Sequence, residues 1–145
     1  MVIPPVTSSA PAATGDGLPV VLHVGAPKAG SSALQFDLTH LPRRALLGRP
    51  GVSCEYVAID AAGELLRGDA LDARASLSAS RYCVSADMND LAALPEDRLR
   101  EIARTLSAAR DEGTIPVLSY EMWLYADRAA IHRFTAALGG PIRVV

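Results

Sequence analysis

The chain has 145 residues, of which 50% are hydrophobic, 21% charged and 5% aromatic. This length is typical of a single domain, and it allows a hydrophobic core without disulfides or a structural metal. The 14 Lys and Arg residues nearly balance the 16 Asp and Glu residues, which gives a formal net charge of −2. This balance argues against a broad surface for nucleic acid or anionic membrane, so any anion is expected to be bound locally.

The two cysteines, Cys54 and Cys83, form no CxxC pair and have no histidine at zinc-finger spacing. We therefore expect two buried thiols in a reducing compartment, with neither a disulfide scaffold nor a structural zinc site. The longest apolar run, at residues 18–26, is about half as long as a membrane-spanning helix. Because the N-terminus also lacks the basic residues of a secretory signal, the sequence predicts a cytoplasmic protein with no membrane span.

The first half of the chain predicts a tail followed by a strand and a helix. Residues 1–17 are rich in Pro, Ser, Thr and Ala without periodicity, which predicts a disordered tail before a domain at 18–145. A β-branched run at 18–24 indicates a buried strand. Apolar residues at helical spacing, beginning at Ala33 and Leu34, predict a helix over 31–47 that Pro42 ends or kinks early. The pattern is weaker from 49 to 94, where we expect a strand at 55–59 and a helix at 61–77.

The second half is easier to interpret. Pro95 precedes the clearest helical pattern, which has an acidic first turn and stops at Gly113. A strand at 114–120, a helix at 127–138 and a strand at 142–145 follow. Helices that alternate with short apolar strands predict an α/β domain, with a three-layer parallel sheet and right-handed crossovers.

A loop of small residues, GAPKAGSS at positions 25–32, connects the first predicted strand to its helix. Such a loop suits an anion, because the N–H groups of the first helical turn and the positive end of the helix dipole face it. Gly30 allows close approach of the backbone, and Ser31 and Ser32 add hydroxyl donors. Lys28, the only lysine in the chain, adds a full positive charge. The loop is therefore a predicted anion site.

The order of residues in this loop differs from the Walker A sequence, which has its lysine where Ser31 stands. It resembles the 5′-phosphosulfate loop of the sulfotransferases that use 3′-phosphoadenosine 5′-phosphosulfate as donor, and HVGAPKAGSSALQ at 23–35 looks like that family's opening segment. PVLSYE at 116–121 is similar to a strand that ends in Ser-x-Glu in bacterial and carbohydrate-type members. The two strings occur in the family's order, within residues 18–145.

The resemblance implies transfer of a sulfuryl group from this donor to an unknown hydroxyl or amine acceptor, with no metal. It implies that Lys28 stabilises charge on the bridging and phosphate oxygens as the donor splits. Glu121 would act as a base or position the acceptor. The residues expected to bind the 5′-phosphate are Pro27, Lys28, Ala29, Gly30, Ser31, Ser32 and Ala33.

Several of these side chains have simpler interpretations. Either serine alone is equally well explained as a helix N-cap, and Glu121 as a solvated glutamate at the start of a helix. His23 fits a packed or hydrogen-bonded core histidine better than a catalytic one. The aromatic residues near Glu121 fit helix packing better than stacking on adenine; these are Tyr120, Trp123 and Tyr125.

Two other functions remain open. The chain could be a P-loop kinase or hydrolase in which YVAID at 56–60 supplies a metal-binding strand. It could also be an inactive, truncated remnant, because the Arg-containing segment that binds the donor's 3′-phosphate in the family would begin where this sequence ends, at Val145. The last predicted strand reaches Val145 as well, so we expect the chain to be the N-terminal part of a larger domain.

Overall fold

The computed structural model describes residues 17–25 and 30–145, so all of the predicted tail except Gly17 lies outside the described residues. The strands are β1 Val20–His23, β2 Arg43–Ala45, β3 Ser53–Tyr56, β4 Ala58–Ile59, β5 Leu65–Leu66, β6 Thr114–Ser119 and β7 Ile142–Val144. The helices are α1 Ser31–His40, α2 Asp69–Ser76, α3 Met88–Ala93, α4 Glu96–Asp111, α5 Arg128–Leu138 and a 3₁₀ helix at Glu121–Tyr125. None of the described helices is long and apolar enough to cross a membrane.

Five strands form the main sheet in the order β2-β3-β6-β1-β7. β1 pairs in parallel with β6 and β7, and β3 pairs in parallel with β6. The predicted α/β class is confirmed, but the expectation of a wholly parallel sheet is wrong because β2 pairs antiparallel with β3. Helix α1 ends at His40, before Pro42, and the short connection from β2 to β3 reverses the chain without a crossover helix.

Helices cover both faces of this sheet. On one face, Leu22 of β1 and Leu118 of β6 belong to a core cluster with Leu91, Ile102 and Phe134 from α3, α4 and α5. On the other face, Val117 of β6 packs against a cluster that contains Leu71 of α2, with Leu38 of α1 beside it. Successive residues of a strand point to opposite faces, which explains why Val117 and Leu118 belong to different clusters.

The predicted elements after Pro95 are confirmed. Helix α4 begins at Glu96, immediately after Pro95, and β6 and β7 occupy the two predicted strands. Helix α5 begins after Asp127, whose side chain accepts a hydrogen bond from the Ala129 N–H at 2.6 Å. This N-cap satisfies a backbone donor at the start of the helix.

Between residues 49 and 94, the structure differs from the expected strand and helix. The strand expected at 55–59 is divided into β3 and β4, and the first part of the helix expected at 61–77 is a hairpin of β4 with β5. Asp60 explains the hairpin, since its carboxylate accepts hydrogen bonds from the N–H groups of Ala62 at 2.9 Å and Glu64 at 2.8 Å. An aspartate that bonds the backbone locally in this way competes with helix formation.

Candidate active site

The carboxyl ends of β1 and β6 meet at one edge of the sheet. His23 is the register partner of Ser119, and the Tyr120 N–H donates to the His23 carbonyl oxygen at 3.2 Å. The loop with the predicted anion site follows β1, and Glu121 begins the 3₁₀ helix that follows β6. In α/β folds, ligands bind in the crevice outside the carboxyl ends of the strands. The two segments singled out in the sequence therefore leave the sheet side by side.

Helix α1 begins next to this edge. Its N-cap Gly30 has φ +84°, a left-handed conformation that glycine adopts without a Cβ penalty. The Gly30 carbonyl accepts hydrogen bonds from Ala33 at 3.1 Å and Leu34 at 3.2 Å, which starts the helical pattern. The first turn contains no acidic residue, so nothing in it offsets the positive end of the helix dipole.

Four of the predicted phosphate-binding residues, Gly30 to Ala33, lie together in this first turn. Pro27, Lys28 and Ala29 lie outside the described residues. Ser31 is buried and Ser32 is exposed. The Ala33 N–H already donates to Gly30. Tyr82 donates a long hydrogen bond of 3.4 Å to the Ser32 hydroxyl, which brings the segment between α2 and α3 to the start of α1.

A network of three polar side chains lies beneath the start of α1. His23 Nδ1 is 2.8 Å from Ser119 Oγ, and Gln35 Nε2 donates to the same oxygen at 3.1 Å. Ser119 is 0% exposed and Gln35 is 1% exposed. The expectation that His23 is a hydrogen-bonded histidine is confirmed. Its partner Ser119, and Gln35, which donates to Ser119, were not identified from the sequence.

Gln35 was missed because the buried face of α1 was assigned to the wrong residues. The leucines at helical spacing suggested an apolar stripe, but Leu34 is 43% exposed. The buried residues are instead Ser31, Gln35 and Thr39, at intervals of four. A polar stripe with this spacing was visible in the sequence, and it could have indicated that α1 covers a polar site.

The imidazole of His23 sits in an environment that favours its neutral form. Partial burial lowers the pKa of His23 below its ordinary value of 6.5, and the negative charge of Glu121 opposes this shift to a lesser degree. The ring approaches Gly25, where an added Cβ would lie 2.8 Å from His23 Nε2 and 2.9 Å from Ser31 Oγ. Gly25 thus allows the imidazole and the first turn of α1 to converge.

Glu121 is half-buried, and two of the aromatic residues near it, Tyr120 and Trp123, pack against the core. Trp123 is buried and donates its indole N–H to the Ala86 carbonyl at 2.9 Å. Tyr120 meets Trp123 edge to face, with ring centroids 6.3 Å apart. The interpretation of these rings as packing residues is confirmed for Trp123 and Tyr120 and is wrong for Tyr125, which is 67% exposed.

An open cavity of about 580 Å³ is lined by residues of the β4–β5 hairpin, of α2, of the segment between α2 and α3, and by Asp90 of α3. Ser85 and Tyr82 in its wall connect it to the site, because the Ser85 N–H donates to the Ser119 carbonyl at 3.1 Å and Tyr82 contacts Ser32. Its remaining polar lining includes Asp60, Arg74 and Asp90. The cavity lining contains hydroxyl groups and charges of both signs, and Tyr82 joins it to Ser32 in the first turn of α1.

Asp60 has a structural role at the border of this cavity. One carboxylate oxygen accepts from two backbone N–H groups of the hairpin, and the other lies 3.3 Å from Arg74. Strand β4, which precedes Asp60, belongs to the small two-stranded sheet and not to the sheet of β1. Within residues 17–25 and 30–145, no three His, Cys, Asp or Glu side chains are grouped so that they could hold a metal ion.

We compared the chain with known protein families, curated proteins and solved structures, and no match was found. The case for a function therefore depends on the loop sequence, the strand that ends in Ser-x-Glu, and the way the fold places the described parts of both.

Proposed function

We propose that the chain binds 3′-phosphoadenosine 5′-phosphosulfate at the loop between β1 and α1 and transfers its sulfuryl group to a hydroxyl or amine acceptor. The observation that carries the proposal is the position of the string GAPKAGSS, which joins the interior strand β1 to the N-terminus of α1. We also propose that β1, this loop and α1 form a P-loop-like unit.

In this proposal the first turn of α1 holds the 5′-phosphate with backbone N–H groups and the hydroxyl of Ser32. The acceptor oxygen or nitrogen forms a bond to sulfur, and the bond between sulfur and the bridging oxygen breaks. The electron pair of the broken bond stays on the phosphate of adenosine 3′,5′-bisphosphate. Lys28 stabilises the charge that develops on these oxygens.

Glu121 is the proposed base that takes the proton of the acceptor. Its support is positional, since it directly follows β6 at the edge where the loop after β1 begins. Trp123, two residues after Glu121, donates its indole N–H to the carbonyl of Ala86, which lines the cavity. We therefore propose the open cavity as the place where the acceptor approaches.

The alternative of a P-loop kinase or hydrolase is less well supported. That chemistry needs a lysine where Ser31 stands and a carboxylate beside the phosphates to hold magnesium. The aspartate suggested for this role, Asp60, uses both oxygens within the hairpin and toward Arg74.

Nucleotide-dependent thermal unfolding tests the proposal. Adenosine 3′,5′-bisphosphate at about one hundred times its dissociation constant should raise the midpoint by about 5 to 10 °C for a chain of this size. ATP with magnesium should raise it much less. Lys28→Ala should abolish most of the shift, whereas Arg104→Ala, which removes one positive charge from the exposed face of α4, should preserve it. Equal shifts by both nucleotides, or an unchanged shift in Lys28→Ala, would contradict the proposal.

A second variant separates binding from transfer. Glu121→Gln should retain the thermal shift with adenosine 3′,5′-bisphosphate. It should lower by about a hundredfold the rate of sulfuryl transfer to any acceptor that a panel of phenols, sugars and amines identifies for the unaltered chain. Retained transfer would rule out Glu121 as the base.

A further inference from the structure

We propose that Gln35 and Ser119 are positioning residues that hold His23 as the tautomer protonated at Nε2, with this N–H directed at Gly25 and the first turn of α1. The three side chains come from α1, β6 and β1, and they are joined by contacts of 3.1 Å and 2.8 Å. The tautomer is a property of the chain itself. Only its use, as an additional donor toward the anion of the phosphosulfate, rests on the proposed function.

Counting hydrogens in the network decides the tautomer. The Gln35 amide nitrogen can only donate, so Ser119 Oγ accepts that bond. Ser119 is 0% exposed, and a buried hydroxyl needs an acceptor for its own hydrogen. Among the contacts described for Ser119 Oγ, His23 Nδ1 is the atom that can accept it. Nδ1 then carries no hydrogen, and the proton of the neutral imidazole is on Nε2.

The geometry at Gly25 shows where His23 Nε2 lies. An added Cβ at Gly25 would lie 2.8 Å from His23 Nε2 and 2.9 Å from Ser31 Oγ. The two polar atoms therefore approach the same side of the chain where the loop after β1 begins. A neutral N–H at this place donates to an anion without a second proton, so its action does not require acid conditions.

Burial of the network supports a positioning role. Moving an amide and a hydroxyl out of water raises their free energy, and hydrogen bonds must offset that cost. Apolar side chains would pack the same space without this requirement. Gln35 and Ser119 make their described side-chain contacts within the network, so their hydrogen bonds determine whether His23 Nδ1 accepts or donates a hydrogen bond.

Long-range ¹H–¹⁵N correlation spectra of the full chain test the tautomer directly. At a pH of about 8, where a histidine of lowered pKa is neutral, we expect the His23 signals of an unprotonated Nδ1 and a protonated Nε2. The chain has three histidines, and His23→Gln identifies the His23 signals by their loss. A protonated Nδ1, or equal populations of both tautomers, would overturn the proposal.

Gln35→Glu tests the role of Gln35 with little change in shape. Its carboxylate accepts the Ser119 hydrogen, so Ser119 Oγ becomes an acceptor for His23 and the tautomer should change to protonated Nδ1. Thr39→Val is the matched control, because Thr39 lies one turn further along the buried face of α1 and bonds the Gln35 carbonyl and the Cys83 N–H. It should lower stability and leave the tautomer unchanged. An unchanged tautomer in folded Gln35→Glu would refute the positioning role of Gln35.

Ser119→Ala provides an independent test if Gln35→Glu does not fold. Removal of the hydroxyl frees Nδ1, so we expect a measurable population of the tautomer protonated at Nδ1. A spectrum identical to that of the unaltered chain would overturn the proposal.

Addition of adenosine 3′,5′-bisphosphate tests separately whether the Nε2 N–H donates to the ligand. If the ligand raises the unfolding midpoint but does not shift the Nε2 signal, His23 is not a donor to the ligand. If the ligand changes neither the midpoint nor the signal, the proposed function fails, while the assignment of the tautomer stands.

Discussion

The hydroxyl of Tyr56 donates a hydrogen bond to the carbonyl oxygen of Cys83 at 2.7 Å, and Tyr56 is 0% exposed. This bond ties the end of β3 to the segment that supplies Tyr82 and Ser85 to the cavity wall. The segment has no regular secondary structure, so single contacts of this kind determine where it lies. A strand of the main sheet thus positions part of the candidate active site.

Tyr56→Phe should therefore destabilise the fold by about 1 to 3 kcal/mol, because the buried Cys83 carbonyl loses its partner. Urea unfolding at neutral pH measures this loss. Tyr125→Phe is the control, since Tyr125 is 67% exposed and its change should have almost no effect. Equal effects of the two substitutions would show that the buried bond does not stabilise the segment.

The raised pKa of Tyr56 predicts that the fold loses stability in alkali. Burial raises the pKa of Tyr56 well above its ordinary value of 10.0. Above that ordinary value the unfolded chain loses the phenolic proton while the folded chain keeps it, so stability should fall as the pH rises through 10.0. The stability difference between the unaltered chain and Tyr56→Phe should decrease over the same range.

The fold class and the second half of the chain could be predicted because strong local signals agree there. Pro95 and Asp127 mark helix starts, and β6 contains an apolar run at 115–118. The reversal at β2 could not be predicted, since it depends on pairing with β3. The hairpin before α2 was missed because the Asp60 side chain replaces helical hydrogen bonds.

The sequence could suggest the loop after β1 and Glu121 as candidate site residues because each is a local sequence signal, and their roles stay predictions. The network of His23, Gln35 and Ser119 was not predicted, because it joins residues 84 and 96 positions apart. Strand pairing of β1 with β6 creates that proximity. A single sequence does not reveal such pairing, although the polar spacing on α1 was a usable signal.

The lowered pKa of His23 predicts that the fold loses stability in mild acid. Its pKa is lowered in the folded chain, mainly by burial, from an ordinary value of 6.5. Above 6.5 both states are neutral, and below it the unfolded chain binds the proton first, so stability should decrease as the pH falls through that value. The stability difference between the unaltered chain and His23→Gln, measured by urea unfolding, should shrink in this range. A difference that is independent of pH would contradict the lowered pKa.

Glu121→Gln should lower the pKa of His23 further, because the charge of Glu121 favours the imidazolium. Titration of the His23 ring signals by NMR measures the change. Glu112→Gln is the control, since Glu112 precedes β6 whereas Glu121 follows it, at the opposite end of that strand. An unchanged His23 pKa in Glu121→Gln would show that the carboxylate does not act on the site through His23.

Two Arg–Glu ion pairs should contribute very differently to the stability of the fold. Arg67 contacts both carboxylate oxygens of Glu55, at 3.2 Å and 2.5 Å, and Glu55 is 8% exposed. Arg100 and Glu96 lie 3.4 Å apart on the exposed surface of α4. Arg67→Met should cost about 1 to 3 kcal/mol because it leaves a buried carboxylate unpaired. Arg100→Met should cost less than about 0.5 kcal/mol. Urea unfolding of both variants checks the difference, and equal losses would contradict it.

Gly25→Ala tests the convergence of β1 and α1 at the site. The added Cβ would lie 2.8 Å from His23 Nε2 and 2.9 Å from Ser31 Oγ, so one of these groups must move. We expect a loss of about 1 to 3 kcal/mol and altered His23 ring signals. Gly17→Ala is the matched control, because a Cβ there meets nothing within 4 Å and its backbone needs no positive φ. If Gly25→Ala were as stable as Gly17→Ala and left the His23 signals unchanged, the imidazole would not face the start of α1.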